Sequence, residues 1–433
     1  MAQNPRELAY LSLIKAEEAT SFSNIEVNTV LNRAKLERND ASLYTLLYLG
    51  VIEKRLFLDY VISAYSKTPL EKIDLETKTA LRLGIYQLFF CDKIPGFSAV
   101  DESVSLAPKR SRGFVNGILR TLIRSNLRVE LPKEKWQGVS VKSSIPMEIL
   151  DIYRASYGDE IAEKIATYKE EKREISLRVN TLKTSCDEVL SLLKERGLNP
   201  YLSKIAMDIL LCACPISQIK DIIDGGLVFV QDQSSRITTQ VLGAVAGDTV
   251  LDACACPGGK SFSIAIDMEN KGQLYSCDLH ESKLSLITKG AKNLGIDIIN
   301  VLRQDGKSER EDFINKFDKV LCDVPCSGLG VIFKKPEIRY KDISSIKGLP
   351  SVQYEILNNC KKYVKSGGTL VYSTCTLSRE ENEEIIKRFL LENKDFTPSE
   401  FSLENINSSG GVYTFLPHIT NTDGFFVAKI TRK

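Results

Sequence analysis

Short apolar segments alternate with helical patterns from about Gly226 onward, and this alternation limits the fold more than any other feature. Five segments have the length and composition of buried strands: TVLDACA, GQLYSCD, IINVLRQD, DKVLCDV and GTLVYSTC. Strands separated by helices predict a parallel sheet with crossover helices. The carboxyl ends of parallel strands meet at one edge, where open α/β sheets bind ligands. Residues that follow the strands are therefore the first candidates for a site.

Aspartates stand at four consecutive strand ends, namely Asp252, Asp278, Asp305 and Asp323. A single aspartate in such a place is more often a cap on the next helix. Four in register favour a ligand site instead. Asp278 ends the second strand, and an acidic side chain there typically accepts hydrogen bonds from ribose hydroxyls.

A glycine-rich turn, CACPGGKS, connects the first of these strands to a helix at residues 254–261. Such a turn lets backbone N–H groups approach a ligand near the helix N-terminus. It is not a phosphate-binding P-loop, because Cys254 stands where that motif needs glycine. The strand-end carboxylates would repel a pyrophosphate but suit an adenosine with a positively charged sulfonium. We therefore predict S-adenosylmethionine as the cofactor.

Two cysteines leave neighbouring strands at the same predicted edge, Cys326 in DVPCSG and Cys375 in STCT. A thiolate is a strong nucleophile that modest help can generate near pH 7. One reaction needs a thiolate beside a methyl donor: methylation of a pyrimidine at carbon 5. Thiolate addition at carbon 6 makes carbon 5 nucleophilic, a carboxyl group near N3 stabilises the adduct, and a second group assists elimination.

The first part of the chain, to about Arg128, shows helical patterns and few strand or turn signals. Residues 129–146 contain prolines, a glycine and many lysines, which predicts a linker or a domain boundary. A small mixed segment follows, with a strand at 175–180 and a helix that begins at the capping box Ser185-x-x-Glu188. We predict three domains, over residues 1–138, 139–228 and 229–433.

Positive charge is concentrated in residues 109–128, which contain no Asp or Glu. The basic residues there are Lys109, Arg110, Arg112, Arg120, Arg124 and Arg128. Spacing by four predicts that the last three share one helix face. A solvated face is the usual explanation of such a run, but six cations without a counter-charge favour contact with nucleic acid. Arg178 and Asn180 are further candidates for such contacts.

Four motifs resemble those of the RNA cytosine-5 methyltransferases: DACACPGGKS, DVPCSGLG, YSTCTLSREENE and DGFFVAKI. That family is distinguished by two cysteines, one in a Pro-Cys and one in a Thr-Cys context. The segment GFVNGILRTLIR, residues 113–124, resembles the helical domain of the bacterial antitermination factor NusB. The combination is similar to the bacterial 16S ribosomal RNA cytosine-5 methyltransferase B group, over nearly the whole chain.

The resemblance implies roles for the candidate residues. Cys375 would be the nucleophile, and Cys326 would assist product release. Asp323 would face the cytosine, and Lys260 would join the active-site network. The residues implied to hold S-adenosylmethionine are Cys254, Ala255, Cys256, Pro257, Gly258, Gly259, Lys260, Asp278, Asp305 and Asp323.

The implied fold is an α/β, Rossmann-like S-adenosylmethionine-dependent methyltransferase domain, preceded by an all-α NusB-like domain and a small α+β segment. Its sheet would be mostly parallel with a reversed last strand, supplied by Phe425 to Ile430. The implied reaction is methyl transfer to carbon 5 of a specific cytosine in 16S ribosomal RNA. Alternatives are the same chemistry on transfer RNA or another ribosomal site, a non-catalytic RNA-binding assembly factor, and a DNA cytosine-5 methyltransferase in which the Pro-Cys cysteine attacks.

The remaining composition indicates a cytoplasmic protein without a membrane anchor. The 11 cysteines in 433 residues lack the density of a secreted disulfide scaffold. The sequence has no signal-peptide pattern and no apolar stretch long enough to span a bilayer. It has no C-x₂-C pair and only 2 histidines, so we expect no metal site. We also expect a monomer.

Overall fold

The computed structural model describes residues 4–18, 23–34, 36–169 and 174–433. Its internal contacts divide the chain into two compact units, Met1–Thr167 with Ile332–Lys341, and Tyr168–Val331 with Asp342–Lys433. The predicted domain boundaries at 138 and 228 stay predictions. Within the described residues, every helix is too short or too polar to cross a bilayer.

Helices form the first unit, which confirms the all-helical prediction for this part of the chain. They are α1 (Pro5–Glu18), α2 (Ser23–Ala34), α3 (Arg38–Glu53), α4 (Arg55–Tyr65), α5 (Leu75–Phe90), α6 (Gly96–Leu106), α7 (Arg112–Arg124), α8 (Lys135–Ser143) and α9 (Met147–Thr167). α5 begins where the Asp74 side chain accepts a hydrogen bond from the N–H of Thr77 at 2.9 Å, which satisfies a free donor of the first turn. Buried side chains from α1 to α7, among them Tyr44, Leu83 and Leu119, form the core.

Helix α8 lies in the stretch that the sequence predicted to be a linker, so that prediction is wrong for Lys135–Ser143. The side chain of Glu134 caps the helix by accepting hydrogen bonds from the N–H groups of Trp136 and Gln137. Trp136 is buried, and the guanidinium of Arg154 lies over its ring. The N-terminal cap and the burial of the Trp136 ring stabilise a helix here, although the lysine-rich composition is typical of a linker.

A segment distant in sequence, Ile332–Lys341, belongs to the helical unit. The buried guanidinium of Arg339 donates hydrogen bonds to the carbonyl oxygens of Glu53 (3.2 Å), Ser143 (3.0 Å) and Ser144 (3.3 Å). Glu53 ends α3 and Ser143 ends α8. One cation therefore satisfies carbonyl groups at two helix C-termini, where positive charge is favoured.

The second unit begins with a small antiparallel sheet and two helices. They are β1 (Ile175–Val179), β2 (Tyr201–Leu202), β3 (Ile209–Cys212), β4 (Val228–Val230), α10 (Cys186–Glu195) and α11 (Lys220–Asp224). The strand order is β2-β3-β1-β4. The predicted capping box is present, because Ser185 Oγ accepts a hydrogen bond from the N–H of Glu188 and the Glu188 side chain accepts one from the N–H of Ser185. The strand and the helix predicted here are confirmed.

Arg178 and Asn180 are buried inside the second unit, so their prediction as nucleic-acid contacts is wrong. Arg178 shares the carboxylates of Asp208 and Asp267 with Arg236, at N–O distances from 2.5 to 3.3 Å. The amide of Asn180 donates hydrogen bonds to two backbone carbonyl oxygens, each at 2.9 Å. Both side chains therefore hold the fold together.

The predicted parallel sheet follows. Its strands are β5 (Thr249–Asp252), β6 (Gln273–Asp278), β7 (Ile299–Arg303), β8 (Phe317–Asp323), β9 (Val364–Thr374), β10 (Phe396–Pro398), β13 (Val412–Phe415) and β14 (Phe425–Arg432), while β11 (Ser402–Leu403) and β12 (Ile406–Asn407) pair separately. The order is β10-β14-β9-β8-β5-β6-β7, with β13 on β14. The five strands β9, β8, β5, β6 and β7 are adjacent in that order, and each adjacent pair is parallel. β14 is antiparallel to β9, which confirms the predicted reversed last strand.

Apolar side chains cover both faces of this sheet. The helices of this part are α12 (Gln233–Leu242), α13 (Gly259–Asp267), α14 (Glu281–Leu294), α15 (Leu349–Cys360), α16 (Glu383–Glu392) and α17 (Pro417–Thr420). Along β8, Leu321 packs in one apolar cluster, and Val320 and Cys322 pack in another. Successive strand residues point to opposite faces, so both faces are buried. Polar chemistry is therefore confined to the strand ends and the loops that leave them.

Candidate active site

Asp252, Asp278 and Asp323 are the last residues of β5, β6 and β8, as predicted. The prediction that Asp305 ends a strand is wrong, because β7 ends at Arg303, two residues earlier. β7, β6, β5 and β8 are consecutive in the sheet and parallel. The four aspartates therefore follow adjacent strands along one edge of the sheet.

The glycine-rich turn between β5 and α13 is fixed beside Asp278. One carboxylate oxygen of Asp278 accepts a hydrogen bond from the N–H of Cys256 (3.3 Å), and the other accepts one from the N–H of His280 (2.9 Å). Gly258 has a φ of 114°, and a Cβ there would lie 2.5 Å from the Phe262 ring. Only glycine fits this position, so the turn requires its glycine-rich sequence.

Asp252 is fully buried at the end of β5. Its carboxylate accepts a hydrogen bond from the hydroxyl of Ser261 (2.7 Å), and the Ser261 hydroxyl is also bonded to that of Ser276 (2.8 Å). Burial raises the pKa of Asp252 to about 7, although the hydrogen bond from Ser261 lowers it. Asp252 therefore ties the first turn of α13 to the sheet.

Lys260 and Asp323 form an ion pair, with Lys260 Nζ 2.7 Å from Asp323 Oδ2. The hydroxyl of Ser373 donates a hydrogen bond to the other carboxylate oxygen at 2.7 Å. The ammonium also lies 5.1 Å from the centroid of the Phe425 ring. Burial alone would lower the pKa of Lys260, but the neighbouring Asp323 outweighs it and the pKa is raised. The lysine is therefore a largely buried cation next to the strand ends, with its side chain 13% exposed.

Cys326 Sγ and Cys375 Sγ lie 3.1 Å apart. β8 and β9 are adjacent and parallel, with Asp323 opposite Ser373, so the two loops leave the sheet side by side, as the sequence predicted. The hydrogen bond with Cys375, together with burial, raises the pKa of Cys326 well above its usual range. Two thiols this close titrate as a pair, so the first proton lost leaves one thiolate and one thiol.

Gly330 and Gly424 bring two more motifs to the same place. The N–H of Gly330 donates a hydrogen bond to the carbonyl oxygen of Cys375 (3.0 Å), and the N–H of Gly424 donates one to the carbonyl oxygen of Gly330 (2.9 Å). A Cβ on Gly330 would lie 1.9 Å from the Gly424 carbonyl oxygen. The DVPCSGLG, YSTC and DGFF motifs therefore meet around Cys375.

A small concavity lies next to Asp305. Its other lining residues include Ala253, Cys277, Phe313 and Tyr363.

Three family models match the chain. One, described as 16S rRNA methyltransferase RsmB/F, matches residues 239–431. The NusB family matches residues 3–124, and a ferredoxin-like domain of RsmF/B-like methyltransferases matches residues 146–217. A probable ribosomal RNA small subunit methyltransferase B of Bacillus subtilis is 35% identical over 99% of this chain and 98% of its own length. The chain belongs to the RsmB/F family of 16S rRNA methyltransferases.

Further relatives support the assignment of this chain to the RsmB/F family. A probable ribosomal RNA small subunit methyltransferase B of Synechocystis is 32% identical over 99% of each chain. The solved structure of PH0851 has a TM-score of 0.82 and 26% identity, and the match covers 100% of both chains. Family membership confirms the predicted enzyme class, an rRNA methyltransferase that uses S-adenosylmethionine, and the NusB-like N-terminal domain. The roles of individual site residues stay predictions.

Three side chains around the site of this RsmB/F-family protein were missed: Gln231, Gln353 and Glu381. The amide of Gln231 donates a hydrogen bond to the carbonyl oxygen of Gly259 at 3.0 Å and so supports the glycine-rich turn. Gln353 and Glu381 lie against the loop of Cys326. The REENE stretch marked the region of Glu381, but local sequence does not show which of its acids is buried.

The basic run of the helical unit differs from the prediction at Arg128. α7 ends at Arg124 and the chain turns out of the helix, so Arg128 does not share the face of Arg120 and Arg124. Counter-charges also come from outside the run, because Arg120 lies 3.7 Å from Asp101 and Arg128 lies 2.8 Å from Glu130. Contact with RNA stays a prediction for Arg112, Arg120, Arg124 and Arg128.

Metal binding was not expected from the sequence. In the part of the chain that the structure describes, no group of three or more His, Cys, Asp or Glu side chains is placed to hold a metal ion. The expected absence of a metal, the monomeric state and the cytoplasmic location stay predictions.

Proposed function

We propose that this chain transfers the methyl group of S-adenosylmethionine to carbon 5 of a cytosine in 16S ribosomal RNA, and that Cys375 adds covalently to carbon 6. One observation carries the proposal: Cys326 and Cys375 lie 3.1 Å apart at the sheet edge that also holds the Lys260–Asp323 ion pair. Relatives named ribosomal RNA small subunit methyltransferase B align over nearly the whole chain and support the substrate.

The cofactor is proposed to bind along Cys254–Lys260, with Asp278, Asp305 and Asp323. These residues fit S-adenosylmethionine, because carboxylate acceptors suit ribose hydroxyls, an amino group and a sulfonium cation. A carboxylate has about four acceptor positions, so the two N–H groups bonded to Asp278 leave room for ribose hydroxyls. When bound, the cofactor supplies a methyl group that is open to nucleophilic attack.

The attack step uses the thiolate of Cys375. Its sulfur forms a bond to carbon 6, and the electron pair of the carbon 5–carbon 6 double bond becomes available at carbon 5. The Lys260–Asp323 pair holds a proton beside the site and is proposed to donate a hydrogen bond at N3, which stabilises the charge that develops on the ring. Ser373 keeps the Asp323 carboxylate in place.

The release step requires loss of the carbon 5 proton. The electron pair of that C–H bond re-forms the ring double bond, and the pair of the sulfur–carbon 6 bond returns to Cys375. Cys326 is the proposed acceptor of the proton, because its sulfur is next to that of Cys375. One addition needs only one thiolate, so a second cysteine at this distance requires a separate role.

Alanine variants of the two cysteines test this division of roles. Cys375→Ala should be inactive and form no covalent complex with 16S RNA fragments. Cys326→Ala should turn over poorly and accumulate a protein–RNA adduct that survives denaturing electrophoresis and requires S-adenosylmethionine. Cys186→Ala is the control, because this half-buried cysteine lies in α10.

Two outcomes would contradict the assignment. An adduct trapped in Cys375→Ala and absent in Cys326→Ala would give the attack to the Pro-Cys cysteine. Methylation retained in both variants without an adduct would exclude covalent catalysis. Bisulfite sequencing of 16S ribosomal RNA from a strain that lacks this protein should show one unmethylated cytosine, and an unchanged pattern would point to another RNA.

The helical unit is proposed to bind the same RNA through Arg112, Arg120, Arg124 and Arg128. The side chains of Arg120 and Arg128 are 61% and 77% exposed, so their charges can reach phosphates. We further propose that the chain acts as a monomer with domains over residues 1–138, 139–228 and 229–433.

A further inference from the structure

The carboxylate of Glu381 is buried against the loop that carries Cys326, with the residue 1% exposed. Glu381 Oε2 accepts a hydrogen bond from the N–H of Ser327 (2.9 Å) and another from the amide of Gln353 (2.8 Å). The same amide donates to the carbonyl oxygen of Pro325 (3.0 Å). Glu381 is therefore tied to the residues immediately before and after Cys326.

Glu381 also contacts the loop that carries Cys375. The hydroxyl of Thr376 lies 3.4 Å from Glu381 Oε1, within hydrogen-bond distance. The hydroxyls of Thr376 and Ser327 are 2.6 Å apart. One buried carboxylate thus joins the residues that follow the two cysteines, and it sets the position of one loop relative to the other.

The charges next to the two cysteines have opposite signs. The hydrogen bond with Cys375 and burial raise the pKa of Cys326, and the negative charge of Glu381 adds to them. The positive charge of Lys260 interacts with Cys375. A nearby anion disfavours a thiolate and a nearby cation favours it.

The other titratable groups beside the pair do not reverse this difference. Asp323 is paired with Lys260 at 2.7 Å. Tyr372 is buried, and burial raises the pKa of its hydroxyl well above its usual range, so it stays neutral. Its hydroxyl donates a hydrogen bond to the backbone carbonyl oxygen of Glu381 at 2.6 Å.

We propose that Glu381 is a positioning residue that keeps the shared proton on Cys326, so that Cys375 carries the thiolate. This inference deepens the proposed function and rests on it for its catalytic meaning. The first proton lost from the pair leaves Cys375 for solvent, and the S–H bond of Cys326 stays intact. Once Cys375 has become a thioether, it no longer shares that proton. Cys326 then loses its S–H proton to solvent, and the resulting thiolate accepts the carbon 5 proton in the second step.

Alkylation by iodoacetamide tests the proposal on the full chain without RNA or cofactor. Each thiolate displaces iodide. Fragment-ion mass spectrometry gives a separate rate for each cysteine, because Cys326 shares the tryptic peptide VLCDVPCSGLGVIFK with Cys322. Cys375 is the single cysteine of the tryptic peptide SGGTLVYSTCTLSR. Cys375 should react faster than Cys326 in the wild type, and Glu381→Gln should lower the ratio of the two rates about tenfold, equivalent to about one pKa unit. Glu380→Gln, a neighbouring exposed residue, should leave the ratio unchanged.

An unchanged ratio in folded Glu381→Gln, with folding checked by circular dichroism, would overturn the proposal. If Glu381→Gln does not fold, Glu381→Asp keeps the charge and should keep Cys375 as the faster cysteine, whereas equal rates would overturn the proposal. Because labelling needs no RNA, its result is independent of the adduct experiment. Normal labelling with no adduct would reject covalent methylation while leaving the role of Glu381 in place.

Discussion

Lys260 Nζ lies 2.7 Å from Asp323 Oδ2. Lys260 lies in the glycine-rich segment 254–261, and Asp323 ends β8 three residues before Cys326. The ion pair therefore joins the segment proposed to hold the cofactor to the loop proposed to hold the target base. A carboxylate that is fixed on both oxygens is pre-oriented, so little reorganisation is needed when a ring nitrogen arrives.

Asp323→Asn should lower the rate of methyl transfer at least about 100-fold, because the variant keeps the shape but loses the charge that holds a proton on the pair. The measurement is transfer of labelled methyl groups to a 16S RNA fragment at saturating cofactor. Ser373→Ala is the control, since it removes one hydrogen bond to Asp323 and keeps the carboxylate. Ser373→Ala should lower the rate of methyl transfer by less than about tenfold. Equal rates for wild type and Asp323→Asn would remove Asp323 from the chemistry.

Asp278→Asn should weaken S-adenosylmethionine binding about 10- to 100-fold, the range expected for loss of a hydrogen bond to a charged group. Isothermal titration calorimetry measures this directly. Asp297→Asn makes the same change at an exposed position and should bind the cofactor as the wild type does. Unchanged affinity in Asp278→Asn would place the ribose elsewhere.

The double variant Arg120→Gln, Arg124→Gln should flatten the salt dependence of RNA binding by at most about two units of slope. Arg128 lies outside α7, so Arg128→Gln should add its effect independently, up to about one unit. The measurement is the slope of log Kd against log salt concentration. Lys67→Gln with Lys72→Gln, two exposed positions of the same unit, is the charge-matched control. A slope equal to that of the control would make the basic run a solvated face.

Local patterns predicted the sheet and much of the site for a physical reason. Buried strands need apolar runs, and adjacent parallel strands bring their ends together, so Cys326 and Cys375 could be expected to lie close. The predictions for Arg128 and Asp305 failed because the helix or strand ends earlier than the sequence pattern suggests. The helix of Arg120 ends before Arg128, and β7 ends before Asp305.

Contacts between distant residues were not predictable from local sequence. Arg339 satisfies helix ends at Glu53 and Ser143, which are nearly 200 residues or more away from it along the chain. In the sequence, Glu381 is one of several acidic residues in REENE. Its burial depends on how the two cysteine loops pack, which local sequence does not show. From sequence alone, Arg178 suited an RNA contact equally well, because its burial and its two half-buried carboxylate partners appear only in the structure.

Asp252 should make the stability of the second unit depend on pH. Burial raises the pKa of Asp252 to about 7 in the folded protein, whereas an unfolded chain has a carboxyl pKa of about 4. The folded state therefore holds a proton that the unfolded state has released. The stability contributed by that proton is fully present below about pH 4, is lost as pH rises through about 7, and is constant above it.

Asp252→Asn should remove this dependence, because an amide keeps the shape of the protonated acid without titrating. The wild type should lose roughly 4 kcal/mol relative to the variant between about pH 4 and pH 8, from about three units of pKa shift. The measurement is the melting temperature or the urea midpoint at each pH. Asp297→Asn, at an exposed position, should follow the wild-type curve. Parallel curves for wild type and Asp252→Asn across this range would mean that the buried carboxyl is already ionised at low pH, with the hydrogen bond from Ser261 outweighing its burial.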